Sequence, residues 1–279
     1  MNDFKEKLKF IEYDYYDQFQ FIGIGEIGKQ VFNHPLLQGT EVINRYWVYD
    51  KDKMGEKIAA FILESNCIGL CIVMKSGDKL DHLRFMEIAM MKPNMVIMCI
   101  LITPSKREYT NQPSTFLLGH ADMLLVIPSH QKSFNATDKS AQIVKEIGGF
   151  VYTKLAFFCV DIIDFCHFIK DTGTTNFGWI HVKIGENLAE RIIKKVDTEL
   201  FKKAQKLLFT FSNSDHFLMR DLEMLANYFQ EIVGVNGRLF FQASDYLIKD
   251  ECILFWIATD FNDSNSISDI EPLPNFSKE

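Results

Sequence analysis

Gln18–Asp52, QFQFIGIGEIGKQVFNHPLLQGTEVINRYWVYDKD, reads as a strand, a glycine turn, a helix and a second strand. Phe19, Phe21 and Ile22 supply the first strand. Gly23, Gly25 and Gly28 then form a G-x-G-x-x-G. Ile27, Val31 and Phe32 carry helical spacing, and Ile43–Tyr49 forms the second strand, closed by Asp50. An acid about 20 residues past the last glycine, after a strand–turn–helix–strand unit, is the context a dinucleotide fingerprint requires. The chemistry follows from the backbone. Glycines let the chain approach a phosphate closely, and the first N–H groups of the helix, with its dipole, favour negative charge. The candidate nucleotide-binding residues are therefore Gly23, Gly25, Glu26, Gly28 and Asp50. Glu26 places a carboxylate in the turn, where it would repel a phosphate, so removing it is expected to strengthen binding.

The same period continues outward. Cys67–Met74 and Met95–Ile102 are continuous apolar runs of strand length, as parallel strands buried on both faces require. Ala121–Ile127 is a further strand, and Leu80–Met91 reads as a helix between the first two runs. This alternation predicts a Rossmann-like, doubly wound parallel sheet. From Asp138 to about Ile163 the apolar spacing predicts one long helix. Beyond Gly173 the pattern changes. Strands are expected near Trp179–Ile184, Leu207–Phe211, Leu239–Ala243 and Cys252–Thr259, with helices at Leu188–Val196 and Met219–Val233. The expected organisation is an α/β nucleotide-binding-like domain over 1–137, a central helix and following loop over 138–171, an α+β domain over 172–262, and a flexible tail over 263–279.

The chain has 279 residues, 47% of them hydrophobic, and a net charge of −7. That length allows a sizeable core. The acidic balance without a basic run argues against nucleic acid as partner. The six cysteines sit mostly in apolar runs and read as buried thiols of a reducing compartment. No run is long and apolar enough to span a membrane, and MNDFKEKLKF does not read as a signal peptide, so a cytoplasmic location is expected. The seven histidines show no ligand spacing, so no metal site is expected. Asp78, Asp81 and His82, together after a strand, read as the exposed first turn of a helix or as a cation site.

Several strings resemble the tubulin/FtsZ superfamily of filament-forming GTPases. Ala121–Pro128, ADMLLVIP, is similar to the strand before the family's guanine-contacting helices. Ile184-Gly185-Glu186-Asn187 with Ala189 and Glu190 resembles the G-x-A-x-G-E-N-R-A segment of the FtsZ second domain. Ile253–Phe261, ILFWIATDF, resembles the FtsZ ending V-x-V-I-A-T-G-F. The resemblance covers most of residues 18–262. It implies a GTP-binding scaffold that polymerises with itself or joins an FtsZ/tubulin-like filament. It also exposes departures. The family's second loop, G-G-G-T-G-T/S-G, corresponds here to Met74–Asp81, MKSGDKLD, where Gly77 alone survives and two carboxylates have entered. The family's acidic loop, N-x-D-F-x-x-D, acts on the neighbouring subunit's nucleotide. Its best match is Ile162–His167, with Asp164 as the first acid and the second acid missing. The resemblance therefore implies weak or absent GDP/GTP binding and very weak hydrolysis. The alternative is an NAD(H)-binding regulatory module, because GIGEIGKQV with YDKD also resembles the dinucleotide fold of potassium-channel regulatory domains, where Asp50 would bind ribose.

Overall fold

A computed structural model describes residues 18–40, 46–49, 58–60, 62–63, 66–91, 94–103, 117, 119–129, 135–152, 160–212, 219–243 and 250–259. Its first strand, β1 (Phe19–Ile24), is buried along its whole length. Helix α1 (Gly25–Phe32) follows without an intervening loop residue, and β2 (Tyr46–Tyr49) pairs parallel to β1. Next come β3 (Gly69–Lys75), α2 (Lys79–Met91), β4 (Val96–Thr103) and β5 (Met123–Pro128). All four pairings from β2 to β5 are parallel. Helices α3 (Ala136–Tyr152) and α4 (Ile162–Ile169) lead to β6 (Gly173–Lys183). The chain ends in α5 (Leu188–Ile193), α6 (Thr198–Lys203), β7 (Lys206–Phe211), α7 (Met219–Val233), β8 (Arg238–Ala243) and β9 (Glu251–Thr259).

Among the described residues, nine strands form one sheet in the order β2-β1-β3-β4-β5-β6-β9-β7-β8. β6 belongs to both halves. Gly173–Thr175 continues the parallel sheet beside β5, and Asn176–Lys183 pairs antiparallel with β9. The alternation of side chains along each strand sorts the core into layers. Phe19, Phe21, Cys71, Val73, Met98 and Ile100 face α3 and α4. Ile22, Ile24, Leu70, Ile72 and Cys99 face the other way, against Phe85 and Ile88 of α2. Helices therefore cover both faces, as the apolar runs of the sequence required. The α3–α4 layer does not stop at the parallel half, since Phe177, Trp179, Phe255 and Ile257 continue it. On the reverse face of that half, Phe201, Phe209, Leu225 and Phe229 form a separate layer under α5, α6 and α7.

Two cross-strand sites show why glycine stands where it does. A Cβ on Gly69 would lie 2.5 Å from the ring of Phe19, its partner across β1–β3. A Cβ on Gly178 would lie 2.7 Å from the Trp256 ring opposite it.

The long helix expected from Asp138 to Ile163 is not one element. α3 ends its described span at Tyr152, and Asp161 is extended, with φ −74° and ψ 163°. The Asp161 carboxylate accepts from the Asp164 backbone N–H at 2.8 Å and so begins a new helix. Apolar spacing alone cannot detect such a restart, because the second helix keeps facing the same core. The short helix α6 was not expected from the sequence. β7, β8, β9 and α7 lie within one residue of where the pattern placed them, whereas β6 begins at Gly173, six residues before the expected Trp179. Asp50, Cys159, most of the helix expected over 51–64, the connection 106–115, the opening 1–17 and the tail 263–279 lie outside the described residues.

Candidate functional site: the glycine turn and the start of α2

Strand β1 ends beside β3, with Gly23 opposite Val73, so the turns leaving the two strands are neighbours at the carboxyl edge of the sheet. In doubly wound sheets ligands bind at that edge. The three glycines of the first turn have different duties. Gly25 adopts φ +68°, the left-handed region that glycine enters at least cost. Gly23 and Gly28 serve close packing. A Cβ on Gly28 would lie 2.5 Å from the Gly23 carbonyl carbon, and one on Gly23 would lie 2.8 Å from the Gly28 carbonyl carbon. The first turn of α1 thus rests backbone on backbone against the end of β1. Gly77, in the turn between β3 and α2, takes φ +87° with nothing within 4 Å of a would-be Cβ. It supplies a turn and makes no close approach.

Glu26, expected to crowd an incoming phosphate, is exposed and turned along its helix, where Gln30 Nε2 donates to Oε1 at 3.2 Å. The carboxylate that faces the turn is that of Asp81, in the first turn of α2. Its two oxygens lie 2.5 and 2.7 Å from the position of a Cβ on Gly25. Asp81 is buried, and so is Arg84, whose Nη1 lies 3.5 Å from Asp81 Oδ1. Burial pushes the Asp81 carboxyl above the usual range, and Asp78 adds to this, while Arg84 and His82 pull the other way. Asp78 caps α2, its Oδ1 accepting from the N–H groups of Leu80 at 2.9 Å and Asp81 at 3.3 Å. Asp78 and Asp81 are thus engaged as a helix cap and an ion pair. Among the described residues no group of three or more His, Cys, Asp or Glu is gathered as a metal would need.

The hydroxyls of Ser76 and Thr103 are buried at the ends of adjacent strands β3 and β4, without a hydrogen-bond partner among the described residues. Sequence reading named Asp81 only as part of a helix turn or cation site and as an added carboxylate, and it missed Arg84 and this pair. The signal for Asp81 was the carboxylate in MKSGDKLD, but its aim at Gly25 depends on the sheet setting the two turns side by side.

Asp164 is exposed in the first turn of α4, three residues after its cap, Asp161. Asp161 and Asp164 thus stand three positions apart at the start of α4. Cys166, one half-turn further on, has its sulfur 3.2 Å from a would-be Cβ on Gly69, the first residue of β3. Asp81 follows the other end of that strand. A seven-residue strand rises about 20 Å, so the acid pair and the glycine turn sit near opposite ends of the sheet.

The chain has the tubulin/FtsZ fold. It is similar to an empty FtsZ dimer from M. jannaschii, at a TM-score of 0.66 and 14% identity over 91% of this chain and 92% of that one. It is also similar to GDP-form protofilaments of TubZ from Bacillus thuringiensis serovar israelensis, at a TM-score of 0.59 and 12% identity over 91% and 90%. A GDP-bound CetZ1 monomer from Haloferax volcanii matches at a TM-score of 0.54 and 12% identity over 86% and 93%. No protein-family model matches the sequence, and no curated protein does. Among the described residues no helix is long and apolar enough to cross a membrane.

Proposed function

We propose that this chain is a cytoplasmic, tubulin/FtsZ-like cytoskeletal scaffold whose GDP/GTP binding is weak or absent and whose GTP hydrolysis is correspondingly slow. Its partners are copies of itself or an FtsZ/tubulin-like filament. The observation that carries this reading is the Asp81 carboxylate lying against Gly25, where the glycine turn would have to admit a phosphate. A negative group fixed there opposes a di- or triphosphate by charge and by volume. Two further features support it. The fold is that of filament proteins, some of which bear GDP in the structures this chain resembles. The Asp161–Asp164 pair stands near the far end of the sheet from the glycine turn, out of reach of a ligand held on that turn in its own chain. The experiment is calorimetric titration of the full chain with GDP, GTP and NADH. The expected outcome is a GDP dissociation constant no tighter than about 1 μM, a binding free energy of about −8 kcal/mol at most. Nanomolar binding of GDP or GTP would overturn the reading, and tight binding of NADH alone would replace it with the regulatory module.

A further inference from the structure

Helix α2 has no wholly polar face. Asp81, Arg84, Phe85 and Ile88 are buried on its inner side. The outer side of a surface helix ordinarily carries charged and polar residues. Here it carries Leu80, Leu83 and Met90, which are 44%, 60% and 70% exposed. Leu63, next to the buried Ile62 of the same core layer, is exposed as well. Apolar side chains gathered on an outer helix mark a contact with another molecule. Two charges stand among them. Lys79 and Glu87 are exposed, four residues before and four residues after Leu83, on one row along the helix. That row is complementary to itself when reversed. We propose that α2 is the interface of a two-fold dimer of this chain, in which Leu83 meets the partner's Leu83 and each Lys79 faces the partner's Glu87. This deepens the self-association named above by giving it a surface. A contact that uses the same patch on both copies closes as a pair and does not by itself extend a filament.

The charges select the second copy and its direction. Along α2 the exposed charged side chains are Lys79 and Glu87, since Asp81 and Arg84 pair on the buried side. A parallel copy would set Lys79 against the partner's Lys79 and Glu87 against the partner's Glu87. The antiparallel copy turns both contacts into attractions. Exposed ion pairs add little affinity, so the apolar side chains hold the pair and the charges fix its register. One helix packed on one helix buries less surface than a standard interface, so the dimer is a weak one.

The test is sedimentation equilibrium of the full chain without nucleotide, as wild type, Leu83→Asp, Lys79→Glu, Glu87→Lys and the exchanged pair Lys79→Glu/Glu87→Lys. All these side chains are exposed, so the fold is kept. Wild type is expected to dimerise and Leu83→Asp to abolish the dimer. Each single reversal sets like charges together at both ends of the contact and should weaken it at least about tenfold. The exchanged pair should recover most of that loss. A second measurement reads the register. With oxidised glutathione as oxidant, Leu83→Cys should cross-link into a disulfide dimer, because a cysteine on the two-fold axis meets its counterpart. Met90→Cys, seven positions away, should not, and neither should wild type. A monomeric wild type, a dimer that survives Leu83→Asp, an exchanged pair no better than the single variants, or cross-linking as strong at Met90→Cys as at Leu83→Cys overturns the proposal. None of these outcomes alters the GDP titration, whereas nanomolar GDP binding would fail the earlier reading and leave the dimer standing.

Discussion

Gly23 and Gly28 occupy each other's side-chain space, and this sets what substitution can do there. At Gly28 a methyl group meets the Gly23 backbone at 2.5 and 2.6 Å and the Val73 carbonyl oxygen at 3.1 Å. Backbone inside a sheet cannot step aside as a flexible side chain can, so helix α1 would have to lift from β1. Gly28→Ala is expected to cost about 3 kcal/mol or more in urea unfolding. Gly39→Ala is the control. Gly39 has φ +78° but nothing within 4 Å, so only the left-handed backbone is penalised, at about 1 kcal/mol. Equal losses at the two sites would show that close packing does not explain Gly28. The contrast also corrects the reading of the fingerprint. Its spacing was legible in the sequence, but two of its three glycines serve packing, and Glu26 points away from the turn it was expected to obstruct.

The elements that start and stop unexpectedly do so at short polar side chains. Asp161 begins α4 by accepting from Asp164, and Val160, just before it, donates its N–H to the buried Gln242 of β8 at 2.9 Å. Asp122 holds three strands at the other approach. Its carboxylate accepts from Ile97 at the head of β4, and its carbonyl accepts from Thr172 and Gly173 at the head of β6. Removing the cap by Asp161→Ala should cost about 1 kcal/mol, read in denaturant unfolding, while Asp161→Asn should cost less because the amide oxygen still accepts. A loss from Asn as large as that from Ala would mean that the charge, and not the cap, matters at this position. The break in the expected long helix was illegible for a physical reason. Ile162, Phe165 and Ile169 keep helical spacing on the same core, and periodicity reports the core that a segment faces, not whether one helix or two face it.

At the scale of the molecule, one apolar layer runs under both halves of the sheet, from Phe19 and Phe21 to Phe255 and Ile257, and β6 threads through both. Halves that share a strand and a core layer should melt together. Thermal unfolding followed by tryptophan fluorescence and by far-ultraviolet circular dichroism is expected to give one coincident transition. Two resolved steps would mean that the halves are stable apart. The continuous apolar runs Cys67–Met74 and Met95–Ile102 determined by themselves that a parallel, two-faced sheet would form, since only strands buried on both faces can use them. The changed pattern after Gly173 likewise marked the passage to an α+β region, but not its pairing, in which β9 runs antiparallel to β6 and β7 while β7 and β8 are parallel, and the strings around Gly185 and Ile253 carried the resemblance to the tubulin/FtsZ fold. Only the tertiary structure decided which carboxylate meets Gly25 and where the acids of α4 stand. Asp81 lies 56 positions from Gly25 in the chain, and its aim depends on β1 and β3 ending side by side. The sequence pattern is local, whereas the register between strands, and therefore which turns become neighbours, is settled by the packing of the whole sheet.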